Sequence, residues 1–217
     1  MKMNRAQKMV YLFLKSLISL ILSKIGRWKV SGIEHVPNDE PLIFVMNHIH
    51  RLDGAIVMAA LPRVVSLILA YDVIKGHPFL SALVRILGRS VGAVVIDRHR
   101  GPKLAAMKIA RSRLKAGHCI LILPEGTRGS GQELGAFHDG AAFLALATGA
   151  KIVPVVTFGY SGKSFRGMLF SKSITVIVGK PFNLARQLHP SPRTRQVGTQ
   201  EIRERIQDLL LEHLSTI

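Results

Sequence analysis

His48 and Asp53 are the residues of this chain whose types and spacing come nearest to catalysis. They stand in Asn47-His48-Ile49-His50-Arg51-Leu52-Asp53, five positions apart, a separation that a turn closes to bring carboxylate to imidazole. A carboxylate on one ring nitrogen fixes the tautomer and leaves the other nitrogen as a base near neutral pH. The pair is half of a catalytic triad with no nucleophile beside it, so the predicted chemistry is activation of a hydroxyl brought by the substrate. A plainer reading of the same residues puts His48 in a turn and Asp53 at a helix start, where Asp is a favoured cap. Metal binding fits poorly. In H-x-H-x-D-H spacing, position 52 would be the acid, yet it is Leu, and Gly54 follows Asp53.

Three further segments place polar or special residues at the ends of apolar runs. Leu123-Pro124-Glu125-Gly126-Thr127-Arg128-Gly129-Ser130-Gly131 is glycine-rich, so backbone amides can approach an anion, and Arg128 offers a bidentate fork for phosphate. Within it, Glu125 is suited to bind a substrate hydroxyl or to orient Arg128. Gly92-Ala93-Val94-Val95-Ile96-Asp97-Arg98 again sets a basic residue after a strand. Ile152-Val153-Pro154-Val155-Val156 reads as a strand whose proline implies an edge, bulge or bend. Gly159-Tyr160-Ser161-Gly162-Lys163-Ser164 ends like a phosphate-binding loop, but Thr157 stands where its first glycine belongs. There is no G-x-S-x-G nucleophile elbow.

The elements that must position these residues emerge from hydrophobic patterning. Short β-branched and aliphatic runs at 42–46, 64–70, 92–96, 120–123, 152–158 and 174–178 read as buried strands. Helical patterns occupy 102–116, which stops at Gly117, together with 137–148 and 199–214. Strands alternating with helices predict an α/β fold, a mostly parallel sheet flanked by helices. His48 then lies at a strand end entering a helix, where open α/β sheets form their ligand crevices. Residues 186–198, rich in Pro, Arg and Ser, are expected to form a loop.

The amino-terminal segment has its own pattern. Met9–Leu22 is apolar but interrupted by Lys15, shorter than the roughly 20 residues of a spanning helix. Lys8, Lys15, Ser19 and Ser23 fall on one narrow helical stripe, with aliphatic residues and Phe13 around the rest. That predicts an amphipathic helix in the membrane interface, its lysines reaching phosphates, with packing on the protein's own core as the alternative. Residues 1–30 are accordingly set apart as a membrane-associating segment from a domain spanning 31–217.

Taken in order, the four blocks resemble the lysophospholipid acyltransferase family, typified by 1-acylglycerol-3-phosphate O-acyltransferase. The resemblance covers Leu42 to Val156: Asn47, His48 and Asp53; Gly92, Ile96, Asp97 and Arg98; Pro124 to Arg128; and Val153 to Val155. It implies that His48, oriented by Asp53, takes a proton from a lysolipid hydroxyl that attacks the thioester of acyl-CoA or acyl-carrier protein. It implies an acceptor site at Arg98, Glu125, Gly126, Thr127 and Arg128, with neither metal nor resident cofactor. A place at the membrane, on its cytoplasmic face, is also implied by the resemblance. The chain departs from the family at His50, where a small residue is common, and at His138 in Phe137-His138-Asp139-Gly140, where a lysine is common. Lysophosphatidate is therefore the default acceptor, with a lyso-aminolipid or another lysophospholipid as the alternative.

Composition agrees. Thirty basic against thirteen acidic residues give +17, yet 48% of the 217 residues are hydrophobic, so this is a folded chain with a strongly cationic surface. Basic charge concentrates in 1–36, 97–118 and 161–200. A nucleic-acid partner is motivated by charge alone. With 6% aromatic residues and no recognised nucleic-acid motif, it is not expected. A non-catalytic membrane-binding protein of the same fold is the remaining rival. Cys119, the single cysteine, excludes an intramolecular disulfide and reads as a buried thiol.

Overall fold

The computed structural model describes residues 4–24, 28–50, 52–70, 94–96, 103–127, 129, 133–159 and 173–214. Their seven strands are β1 (Trp28–Ser31), β2 (Leu42–Met46), β3 (Val65–Ala70), β4 (Val94–Ile96), β5 (Cys119–Ile122), β6 (Lys151–Phe158) and β7 (Ile174–Val178). The helices are α1 (Arg5–Lys24), α2 (Asp53–Ala60), α3 (Lys103–Lys115), α4 (Gly140–Thr148) and α5 (Pro192–Leu214). The strands form one sheet in the order β1-β7-β6-β2-β5-β3-β4. Every neighbouring pair is parallel except β6 with β7. The α/β fold with a mostly parallel sheet is as expected.

β2 shows why the apolar runs are continuous. Ile43 and Val45 point to the layer made by α3, α4 and α5. Leu42, Phe44 and Met46 point the other way, to α1 and α2. Covered on both faces, the strand has no position left for a solvent-facing residue, and all five side chains are buried.

Helix ends obey local chemistry. α3 stops where Gly117 turns left-handed (φ +82°), its N–H bonding Leu114 O at 3.0 Å and that of His118 bonding Arg113 O at 3.0 Å. α5 starts earlier than its periodicity suggests, so 192–198 belongs to the helix and only 186–191 to the loop. Pro192 is the first helical residue, and Ser191 Oγ accepts the Thr194 N–H at 3.1 Å. Proline and serine here start a helix rather than break one.

Pro154 lies in an interior strand. Between the bridges Val155↔Val178 and Ile152↔Phe182, residues 153–154 oppose 179–181, a bulge of one residue on the partner segment. The proline, which has no N–H to give, sits at that interruption and accepts the Gly179 N–H on its carbonyl at 2.8 Å.

β1 escapes detection because it alternates, with Lys29 and Ser31 exposed, and it is only four residues long. It straddles residue 30 and belongs with the sheet. Gly32 then turns the chain at φ +74° against β7, and a Cβ there would overlap the Val178 carbonyl oxygen. Gly32→Ala should therefore destabilise the fold by roughly 2–5 kcal/mol, from left-handed strain and overpacking. At about 2–4 °C per kcal/mol, the melting temperature measures it; an unchanged value would contradict the tight approach.

The middle of the stripe on α1, Lys15 and Ser19, faces inward, contrary to expectation, while Lys8 and Ser23 at its ends are exposed. Lys15 Nζ donates to Leu61 O and Ser19 Oγ to Ala59 O at 3.3 Å, satisfying carbonyls left open at the carboxyl end of α2. Tyr11 and Leu22 are buried on the same side, and Tyr11 Oη accepts the Val65 N–H at 3.2 Å. Lys15 therefore holds protein carbonyls, and the helix turns its apolar face outward, with Met9 71% and Phe13 67% exposed. α1 has 20 residues, about 30 Å, and by length and composition alone it could cross a membrane. From Tyr11 to Leu22 it packs along the domain.

Candidate active site

β2 and β5 are adjacent and parallel, with Val45 opposite Ile122, so the loops leaving both strands emerge at the same edge of the sheet. After β2 come Asn47 and His48; after β5 come Leu123, Pro124 and Glu125. Residues 77 positions apart are thereby neighbours: the His48 N–H donates to Glu125 Oε1 at 2.9 Å.

The turn from β2 into α2 is organised by one carboxylate oxygen. Asp53 is fully buried, and its Oδ2 accepts His48 Nδ1–H at 2.9 Å, the Ile49 N–H at 2.6 Å and the His50 N–H at 2.8 Å. Asp53 stands at the start of α2 without capping it, since Leu52 is the N-cap and no side chain caps the helix; its Oδ2 instead shapes the preceding turn and holds the imidazole. With the Nδ1 proton committed to Asp53, the lone pair of His48 lies on Nε2. No described residue hydrogen-bonds Nε2, and the side chain is 13% exposed. No serine or cysteine hydroxyl or thiol is hydrogen-bonded to His48 either, among the described residues. His50 is used within the turn, its Nδ1 accepting the Leu52 N–H at 3.2 Å.

Three neighbours hold this turn in place. The side chain of Asn47 is buried and extends the pairing of β2 with β6: Nδ2 donates to Thr157 O at 2.9 Å, and Oδ1 accepts the Thr157 N–H at 2.8 Å. Gly129 donates its N–H to His48 O at 2.7 Å. Glu125 is buried too, and its Oε2 accepts the Gly135 N–H at 3.0 Å. Gly126 adopts φ +66°, the left-handed geometry that favours glycine, and Thr127 beside it is exposed. Arg98 and Arg128 lie outside the described residues. Asn47 was visible in the sequence without a role, and Gly129 only as part of a glycine-rich loop; Thr157 and Gly135 carried no signal for these bonds.

The helix expected from Phe137 begins only at Gly140. The preceding residues line the loop after β5, where the His138 N–H donates to Pro124 O at 3.0 Å. Asp139, beside His138, pairs with Arg195 of α5 at 2.9 Å. Cys119 is buried as expected, and burial pushes its thiol up, away from the reactive thiolate.

A family profile described as Acyltransferase matches residues 27–157, the stretch that holds the dyad and every residue expected to bind substrate. Several relatives bear the name 1-acyl-sn-glycerol-3-phosphate acyltransferase, among them three from distant sources. That of Borreliella burgdorferi is 28% identical over 69% of this chain and 58% of its own length. The chloroplastic LPAT1 of Arabidopsis thaliana is 28% identical over 71% and 43%, and the alpha form of Homo sapiens is 31% identical over 62% and 46%. The chain thus spans about half the length of the curated relatives it matches. The crystal structure of PlsC, the 1-acyl-sn-glycerophosphate acyltransferase of Thermotoga maritima, superposes with a TM-score of 0.68 at 18% identity. It covers 94% of this chain and 81% of that one, and the likeness establishes the fold. With the family profile covering more than half of its residues and the His48–Asp53 pair within that span, this chain belongs to the Acyltransferase family.

Proposed function

We propose that the protein is an O-acyltransferase that moves a fatty acyl group from a thioester, acyl-CoA or acyl-carrier protein, to the free hydroxyl of 1-acylglycerol-3-phosphate, in phospholipid biosynthesis. The observation that carries this reading is the His48–Asp53 pair, fully assembled at the edge of the sheet with no protein nucleophile against it among the described residues. The attacking oxygen must then come from the acceptor. His48 Nε2 takes the hydroxyl proton as the oxygen bonds the thioester carbon, Asp53 stabilises the imidazolium, and the collapsing intermediate expels a thiolate that recovers the proton. Arg98 and Arg128, with Thr127, are assigned to the acceptor's phosphate, for which the guanidinium fork is suited. Mass analysis of products from purified protein, thioester donors and a panel of lysolipid head groups tests the assignment. Transfer to lysophosphatidate is expected. Preference for a lyso-aminolipid would move the acceptor, and absence of transfer from any thioester would end the reading.

The protein is further assigned to the membrane interface on the cytoplasmic face, where anionic lipids attract the exposed Arg5, Lys8 and Lys24 of α1. Its support is the outward apolar face of α1, where Phe13 and Leu20 are 67% and 56% exposed. Burial of each such side chain is worth about 1.5–3 kcal/mol. The double variant Phe13→Glu/Leu20→Glu should therefore lower vesicle partitioning roughly 100-fold or more at unchanged melting temperature. Undiminished sedimentation with vesicles would move the anchor elsewhere, to the basic 161–200 region.

A further inference from the structure

Three consecutive backbone amides around the base are all taken by carboxylates. Asp53 Oδ2 holds those of Ile49 and His50, and Glu125 Oε1 holds that of His48. The His48 carbonyl is held in turn by the Gly129 N–H. We infer that Glu125 is a positioning residue, one that clamps the His48 main chain to the loop after β5, rather than a ligand of the acceptor. The inference rests on the acyltransferase reading above and assigns Glu125 a task within it.

The geometry leaves Glu125 little room for a substrate. It is 6% exposed, and each of its oxygens already accepts a main-chain N–H, His48 on one and Gly135 on the other. The Oε2 side is closed by two glycines, for a Cβ at either Gly129 or Gly135 would lie 3.1 Å from that oxygen. A carboxylate is also the wrong charge to face a phosphate, whereas two N–H donors suit it. Asp53 fixes the imidazole through Nδ1, but it cannot fix the peptide that precedes His48. Glu125 supplies that restraint from another strand. Glutamine has the same shape, yet its amide presents N–H to one of the two donors, so one clamp bond must break.

Glu125→Gln therefore separates the two roles. As a positioning residue it should lower kcat about 10–100-fold, the cost of a base displaced by a fraction of an ångström to an ångström. The KM for 1-acylglycerol-3-phosphate should stay within about twofold. In nitrogen-15 spectra one of the two clamped amides, His48 or Gly135, should lose protection from exchange while those of Ile49 and His50 keep theirs. A rise in acceptor KM of roughly tenfold or more at unchanged kcat, with His48 and Gly135 still protected, would overturn the inference. If Glu125→Gln does not fold, Gly135→Ala presses on the same oxygen without altering the carboxylate. A fall in kcat at constant KM is expected there, and a rise in KM alone would count against the clamp. If the wild-type protein transfers no acyl group, the functional reading fails, while the exchange measurement still decides whether Glu125 clamps His48.

Discussion

His48→Ala should lower kcat by about 10²–10⁴, the range that a positioned general base contributes, while leaving the fold and vesicle binding intact. The expectation of intact folding is specific to this turn. Removing the imidazole leaves the buried Asp53 carboxylate with the Ile49 and His50 amides on the same oxygen, so its charge is not stranded. The loss of stability should then stay near the 1 kcal/mol typical of one hydrogen bond. The exposed apolar residues of α1 form no part of the dyad, so sedimentation with vesicles should match wild type. Transfer rates and melting temperature, measured on the same preparation, check both halves. Equal transfer by wild type and variant would refute His48 as the base.

Asp53→Asn should cost a similar factor in kcat by a different route, and it should cost stability as well. The amide can donate to Nδ1, which places the imidazole proton on Nε2 and removes the lone pair the reaction needs. Even with its oxygen facing the turn, the neutral amide gives no counter-charge to the imidazolium. Three bonds now made to a carboxylate become bonds to an amide. Bonds to charged groups are worth about 1.5–3 kcal/mol against about 1 for neutral ones, so a loss of roughly 1–3 kcal/mol is expected. The melting temperature should fall by several degrees, at about 2–4 °C per kcal/mol. Because the two residues act as one unit, the double variant His48→Ala/Asp53→Asn should be no slower than the slower single variant. Multiplied losses would show that Asp53 contributes through something other than His48.

The dyad was legible because it is local. Both partners belong to a single turn, five positions apart, and no knowledge of the rest of the fold is needed to bring them together. Strands buried on both faces were legible as well, since β2 and β5 leave no polar position to confuse the pattern and β7 has only Thr175. β1 was not, because an exposed edge strand of four residues dilutes its apolar positions with Lys29 and Ser31. The start of α5 was misread from composition: Pro192 in isolation resembles a breaker, and only its place after the capping Ser191 makes it a first helical residue.

α1 illustrates the limit most directly. Periodicity determined that Lys15 and Ser19 share one face of a helix, but it could not say whether that face meets lipid or protein. The open carbonyls at the end of α2 decide it, and they lie 40 or more residues away along the chain. Glu125 is the same case within the site, since a glutamate in a glycine-rich loop reads as a ligand until β5 is set beside β2. The sequence by itself determined the alternation of strands and helices, the His48–Asp53 turn and the order of the motif blocks, all of which depend on neighbouring residues. Only the tertiary structure decided which way α1 faces and what Glu125 holds. Those depend on the pairing of strands and helices far apart in sequence, where unsatisfied backbone groups choose their partners.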